Sequence, residues 1–246
     1  MSVAIGRGLL LLALWAPLAS RAYRPFDGTD GSVAALHEFE VELGPVGFLE
    51  QGNQRYLTDP FVVLNYGVAA DTELVAQAEG LHTLPADAPG PSQRLVNSGL
   101  FVKHVLVDGV LQGGTGPSVA AELGVLPPEI HGQSGFGTSL AGIVSQRWEF
   151  GAAHVNLAVG TNRADHFDLF TGVILEGPDR WTVRPVTEWY FERTAPGQHT
   201  LSRLVGAIWQ RSERLSFDVG LRRAGAGGHP EHELRVGFTW SLEPGR

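Results

Sequence analysis

The stretch that decides the fold is Glu233-Leu-Arg-Val-Gly-Phe-Thr-Trp-Ser-Leu242, preceded by His232. Successive side chains of an extended strand point to opposite sides. Leu234, Val236, Phe238, Trp240 and Leu242 therefore share one face, and Glu233, Arg235, Gly237, Thr239 and Ser241 share the other. One face suits hydrocarbon and the other tolerates water. In a soluble domain such a strand would be half of a sandwich, but here it closes a chain that opens with the pattern of an export signal. That pairing points to a transmembrane antiparallel up-and-down β-barrel.

The export pattern occupies residues 1–22. Arg7 supplies the positive region, Leu9-Leu-Leu-Leu-Ala-Leu-Trp-Ala16 the apolar run, and Ser20-Arg21-Ala22 a small-x-small cleavage site. The run is too short to span hydrocarbon about 30 Å thick, which takes roughly 20 helical residues. We therefore expect a cleaved signal peptide over 1–22 and a single mature domain, 23–246, beginning at Tyr23. No later stretch approaches the ~18 uninterrupted apolar residues of a membrane helix, so any crossing must be made by strands. In lipid, strands must close on themselves to satisfy their backbone groups.

Composition agrees with many tight turns and few helices: 32 glycines and one methionine. With no cysteine, an exported chain has no disulfide scaffold and depends on strand pairing and burial. The formal charge is −8, and losing Arg7 and Arg21 with the leader takes it to −10. Such a surface disfavours a nucleic-acid partner, because phosphate contacts need basic groups.

Alternation bounded by Gly, Pro, Asn and Asp predicts about twelve strands. They are 36–47, 54–68, 73–84, 94–107, 110–126, 136–150, 153–163, 167–176, 181–193, 199–210, 214–223 and 232–242. An even number places both ends of the chain at one mouth. Short turns follow strands two, four, six, eight and ten. Longer connections, Pro85–Gln93, Pro127–Gly135 and Ala224–Glu231, follow strands three, five and eleven. Short inner turns alternating with longer external loops are the rhythm of an outer-membrane barrel. Aromatics predict two girdles: Tyr66, Trp148, Phe150, Trp181, Trp209 and Trp240 at the periplasmic rim, and Tyr56, Phe136, Phe167, Trp189 and Phe191 at the external one.

The polar faces define a candidate lumen: Glu40 and Glu42 beside Glu38 on strand one, Arg147 and Glu149 on strand six, Arg184 and Glu188 on strand nine, Asp218 and Arg222 on strand eleven. Mixed signs suit either a packed, ion-paired interior or a narrow wet passage. Strand ten is awkward, because Arg203 and Gln210 fall on opposite faces and one must point outward.

Few motifs carry chemistry. A barrel lipase needs His-x-Ser on one strand face to set base beside nucleophile, and no such triplet occurs among the nine histidines. His229-Pro-Glu-His232 with Glu231 and Glu233 lacks a third fixed ligand for a metal and reads as a solvated loop, with His166 between Asp165 and Asp168 of similar standing. Gly113-Gly-Thr-Gly116 has no following Lys-Ser/Thr and opens the fifth predicted strand, so it is no phosphate loop. We expect no catalytic residues, metal or cofactor.

Four stretches together resemble the outer-membrane barrel family labelled as transporters or meta-pathway phenol-degradation proteins: Tyr66-Gly-Val-Ala-Ala-Asp-Thr-Glu-Leu74, Gly99-Leu-Phe-Val-Lys103, Gly135-Phe-Gly-Thr-Ser139 and Val236-Gly-Phe-Thr-Trp-Ser-Leu242. The resemblance runs over most of the mature chain and rests on order and spacing. It implies a barrel in the outer membrane of a Gram-negative bacterium that moves small solutes, aromatic or hydrophobic ones among them. Members commonly stop at a terminal aromatic, whereas here Glu-Pro-Gly-Arg246 follows Leu242. The expected partners are outer-membrane lipid, a small-molecule solute and the barrel assembly machinery during biogenesis. The leading expectation is a monomeric passive channel selected by its lumen charges. The alternative is a structural or adhesive barrel with a filled lumen, binding a partner through Pro85–Gln93 and Ala224–Glu231.

Overall fold

A computed structural model describes residues 24–85, 91–195 and 197–242. The leader and its cleavage before Tyr23, part of the loop at 86–90, residue 196 and the tail after Leu242 lie outside the described residues. Twelve strands run in chain order: β1 (Phe39–Gln51), β2 (Gln54–Ala69), β3 (Thr72–Leu84), β4 (Gln93–Val107), β5 (Ser118–Leu126), β6 (Gly137–Trp148), β7 (Gly151–Thr161), β8 (Phe167–Glu176), β9 (Val183–Ala195), β10 (Gln198–Ser212), β11 (Leu215–Ala226) and β12 (His229–Leu242). Each pairs antiparallel with its sequence neighbours, and β12 returns to β1 from Phe39↔Leu242 to Gln51↔Glu231, closing the sheet. Closure leaves no edge, which is what lets strands stand in hydrocarbon. Among the described residues no helix is long and apolar enough to cross a membrane.

The outer wall carries the alternating apolar stripe read from β12. Val205, Leu221, Leu234, Leu157, Leu123 and Leu100 all face outward and are exposed. Trp148, Phe150, Trp181, Trp209 and Trp240 ring the mouth where β1 starts and β12 ends, and Phe136, Phe167 and Trp189 lie toward the other. Trp209, Phe217 and Phe238 stand in register across β10, β11 and β12, with ring centroids 5.6 and 6.4 Å apart. Tyr56, assigned to the external girdle from sequence, instead points inward and is 4% exposed, with the Arg94 guanidinium 5.5 Å from its ring centroid.

Two other expectations are corrected. Strand five begins at Ser118 and not at residue 110, because Val110–Gln112 form a 3-10 turn and Gly113 and Gly116 take φ of 81° and 80°. Gly113–Gly116 therefore belongs to a connection and does not open a strand. This connection, 108–117, folds back into the terminal mouth, where Leu111 is buried and Gln112 Nε2 donates to the Gly31 carbonyl at 2.9 Å. At the opposite mouth, Ala224–Glu231 is not a long loop. Gly227 and Gly228, at φ 54° and 85°, make a two-residue turn, and the flanking residues extend β11 and β12. Paired positive φ angles match the right-handed twist of a hairpin. The contrast between short and long connections consequently weakens, and mouth identity rests on the start of β1 and the end of β12 sharing one rim.

Candidate functional site

The interior is organised by residues 24–38, which precede β1 and run inside the barrel as a strap. Starting at β11 and β12, the Arg24 Nε lies 3.4 Å from Asp218 Oδ2, and Nη2 donates to the Val236 carbonyl at 3.4 Å. Gly44 and Gly237 make room for this guanidinium, since a Cβ at either position would collide with it. Phe26 then packs into the one buried apolar cluster among the described residues, with Ile174, Val186, Leu204 and Ile208 from β8 to β10. The next residues are held by hydrogen bonds from their backbone. The N–H groups of Asp27 and Gly28 donate to Glu188 at 3.0 and 2.8 Å. Thr29 exchanges two bonds with the Asn156 amide, at 3.0 and 2.8 Å. Gly31 N–H donates to Ser145 Oγ at 2.8 Å, and Ala34 N–H to Glu73 Oε2 at 2.7 Å. The strap thus touches most of the circumference before entering β1. Its backbone is unpaired with any strand over most of this path, so inward side chains take the ladder's place.

Ion pairs complete the fixation. Lys103 Nζ stands 3.5 Å from Glu73 and 3.8 Å from Asp30. Arg235 reaches Asp27 at 3.0 Å and Glu233 at 2.8 Å, and donates to the Pro25 carbonyl at 2.8 Å. Arg222 bridges Glu231 at 2.8 Å and Glu233 at 2.7 Å and donates to the Tyr190 hydroxyl at 3.2 Å. Near the terminal mouth, Arg184 meets Glu176 and Asp179 at 3.2 and 2.9 Å, and Arg147 meets Asp179 at 2.6 Å. Buried charges survive only when paired in this way, because desolvation otherwise exceeds what they gain.

Of the candidate lumen residues, Glu40, Glu42, Arg147, Arg184, Glu188, Asp218 and Arg222 all point inward. Glu40 accepts from Ser241 at 2.9 Å, and Glu42 from Asn65 at 3.0 Å. Glu149 does not join them; it is exposed in the 149–150 turn, where its backbone carbonyl accepts from Arg180. Sequence reasoning missed Asp27, Asp30, Glu73 and Lys103, and placed Glu233 and Arg235 on the polar face without assigning them a role. His229 and His232 are exposed on β12 rather than in a loop, and no group of three metal-ligating side chains occurs among the described residues.

Ser145, His154 and Glu176 stand side by side in a row that no His-x-Ser scan detects. Ser145 Oγ is 2.8 Å from His154 Nδ1, and His154 Nε2 is 3.3 Å from Glu176. Ser145 and His154 are 0% and 1% exposed, and the serine oxygen already accepts from the strap. Buried in this way, the row anchors the strap through Ser145.

The strap lines a cavity of about 590 Å³. Its carboxylates are Asp27, Asp30, Glu40, Glu42, Glu73, Glu79, Glu122, Asp168, Glu192, Glu231 and Glu233; its cations are Arg24, Lys103, Arg222 and Arg235. Phe61, Phe101, Phe170 and Tyr190 share the wall, with Phe170 and Tyr190 centroids 5.1 Å apart.

The closed twelve-strand cylinder with a polar interior has the fold of outer-membrane channel proteins. An outer membrane channel from Pseudomonas putida F1 superposes with a TM-score of 0.62 at 11% identity, covering 88% of this chain and 100% of that one. The KdgM porin gives 0.54 at 8%, and its complex with disordered oligogalacturonate 0.56 at 7%, each covering 83% of this chain and 99% of theirs. No family model and no curated protein matches the chain. The phenol-degradation label that the sequence motifs resemble gains no support from these matches.

Proposed function

We propose that the chain is a channel of the Gram-negative outer membrane that passes small solutes, admitting cations more readily than anions along a path narrowed by the strap. The observation that carries this reading is the acid-rich cavity inside a closed cylinder, in which carboxylates outnumber cationic side chains. In a low-dielectric enclosure an excess of one sign concentrates the opposite sign. The rings of Phe61, Phe101 and Phe170 beside those acids support passage of small ring-bearing solutes, as the sequence resemblance implies. Glu40, Glu42 and Arg222 are the candidate selectivity residues from sequence that serve this path, with Glu188 and Asp218 positioning the strap. Outer-membrane lipid and the barrel assembly machinery are the remaining proposed partners.

The test is a planar-bilayer recording. Under a salt gradient the reversal potential should report cation preference, and Glu122→Gln with Glu192→Gln should reduce it. Deleting residues 24–35 should raise unit conductance several-fold. Absence of unit conductance in both forms sinks the channel reading. That outcome would favour the filled-lumen structural barrel, which the packed core under the strap supports in its own right. Of the two loops assigned to that alternative, Ala224–Glu231 is a tight hairpin and offers little surface for adhesion.

A further inference from the structure

β10 must present either Arg203 or Gln210 to lipid, and the residue far from the rim is Arg203, which faces outward and is exposed. Its partner across one ladder is Arg223 of β11, whose own neighbour on β12 is His232. Higher on the same wall, Arg193 of β9 pairs with His199 of β10. All five side chains are exposed. Like charges set opposite each other on one face of a ladder repel. None of the three arginine side chains makes a hydrogen bond or ion pair among the described residues, and the outward carboxylate in this row, Glu50 opposite His232, is already 3.5 Å from Arg55. Every inward arginine that holds the strap or its surroundings has its acid; these have none.

Their depth sharpens the anomaly. Positions 203 and 209 on β10 are six residues apart, as are 223 and 217 on β11, with Trp209 and Phe217 marking the terminal girdle. At ~3.3 Å per residue and a tilt near 40°, the separation is roughly 15 Å along the axis, short of the ~25 Å apolar band. Outward Leu201, Val205, Leu221 and Leu234 surround them. An arginine there must extend its long side chain to the interface and find an anion. The planar guanidinium fork matches phosphate oxygens two at a time. With both chain ends in the periplasm, these residues lie in the external leaflet, which in an outer membrane is built of phosphorylated glycolipid. We propose that Arg193, Arg203 and Arg223, with His199 and His232, bind the phosphate groups of an external-leaflet glycolipid, its acyl chains lying on the neighbouring leucines. This inference rests on the membrane orientation adopted above, not on solute passage.

Native mass spectrometry of the purified barrel tests it, with bis-phosphorylated lipid A as probe and dephosphorylated lipid A as control. We expect bound lipid on the wild type, at least tenfold weaker binding of the dephosphorylated probe, and a comparable loss for the Arg203→Leu/Arg223→Leu double variant. Heat-modifiable gel migration checks that this variant is folded, and the milder Arg203→Gln and Arg223→Gln single variants should each lose binding in part. Equal binding of the two lipids, or undiminished binding by folded variants, overturns the proposal. A dimer mass abolished by the same substitutions also overturns it, by assigning the patch to a second copy. Neither arginine lines the cavity, so the double variant should keep wild-type conductance. Lipid binding without conductance would therefore remove the channel reading and leave this one standing.

Discussion

Arg222 and Arg223 are adjacent on β11 and stand on opposite sides of one wall. Arg222 is 8% exposed, ion-paired to Glu231 and Glu233 and bonded to the Tyr190 hydroxyl. Arg223 is exposed with Arg203 and His232 as its ladder neighbours. The same side chain is a structural cross-link when its counter-ions come from the protein and a lipid-facing group when they do not. Strand alternation alone assigns the side; only the fold supplies or withholds the partner.

The inner member of the pair should be the costliest to lose. Arg222→Leu leaves Glu231 and Glu233 short of a buried cation, and breaking such a pair costs about 3–5 kcal/mol. Urea titration of the refolded barrel should show the loss, and an unchanged midpoint would mean that water already solvates those acids. Next comes the strap's apolar anchor. Phe26→Ala empties a site among Ile174, Val186, Leu204 and Ile208 and should cost about 3 kcal/mol by the same measurement, with raised conductance if the strap loosens. On the outer face, Leu221→Arg puts a second guanidinium near the middle of the apolar band, about as deep as Arg223; a cost of about 2 kcal/mol in phospholipid vesicles is expected there. The smallest effect belongs to Arg223→Leu. In vesicles without phosphorylated glycolipid it should change stability by less than about 1 kcal/mol or increase it, since it removes a like-charge contact. A large loss there would erase the distinction between the two arginines.

Much of this architecture was legible. Alternation in 232–242 and in Glu38–Leu43 identifies walls with two solvents, and most of the strand bounds follow from the same period. What escaped had no period to reveal it. Asp27-Gly-Thr-Asp-Gly-Ser32 shows no alternation and belongs to no predicted element, and its role appears only when Glu188, Asn156 and Ser145, far apart in sequence, converge on its backbone. Such a Gly- and Asp-rich tract ahead of the first strand, with acids and amides on the inward faces, was the available clue. Ala224–Glu231 misled for another reason: a glycine run suits a long loop and a two-residue positive-φ turn equally well. Val110–Gln112 misled because a 3-10 turn can bury an apolar residue without alternation.

The strap also dictates an order of events. Arg24 and Asp27 are gripped by Asp218, Val236 and Arg235, groups on the two final hairpin arms. Arg24, the earliest described residue, therefore has no seat until the last two strands have been laid down, whereas Phe26 and Asp27 can already rest on β8 to β10, so the seam between the first and last strands zips up around a cargo already inside.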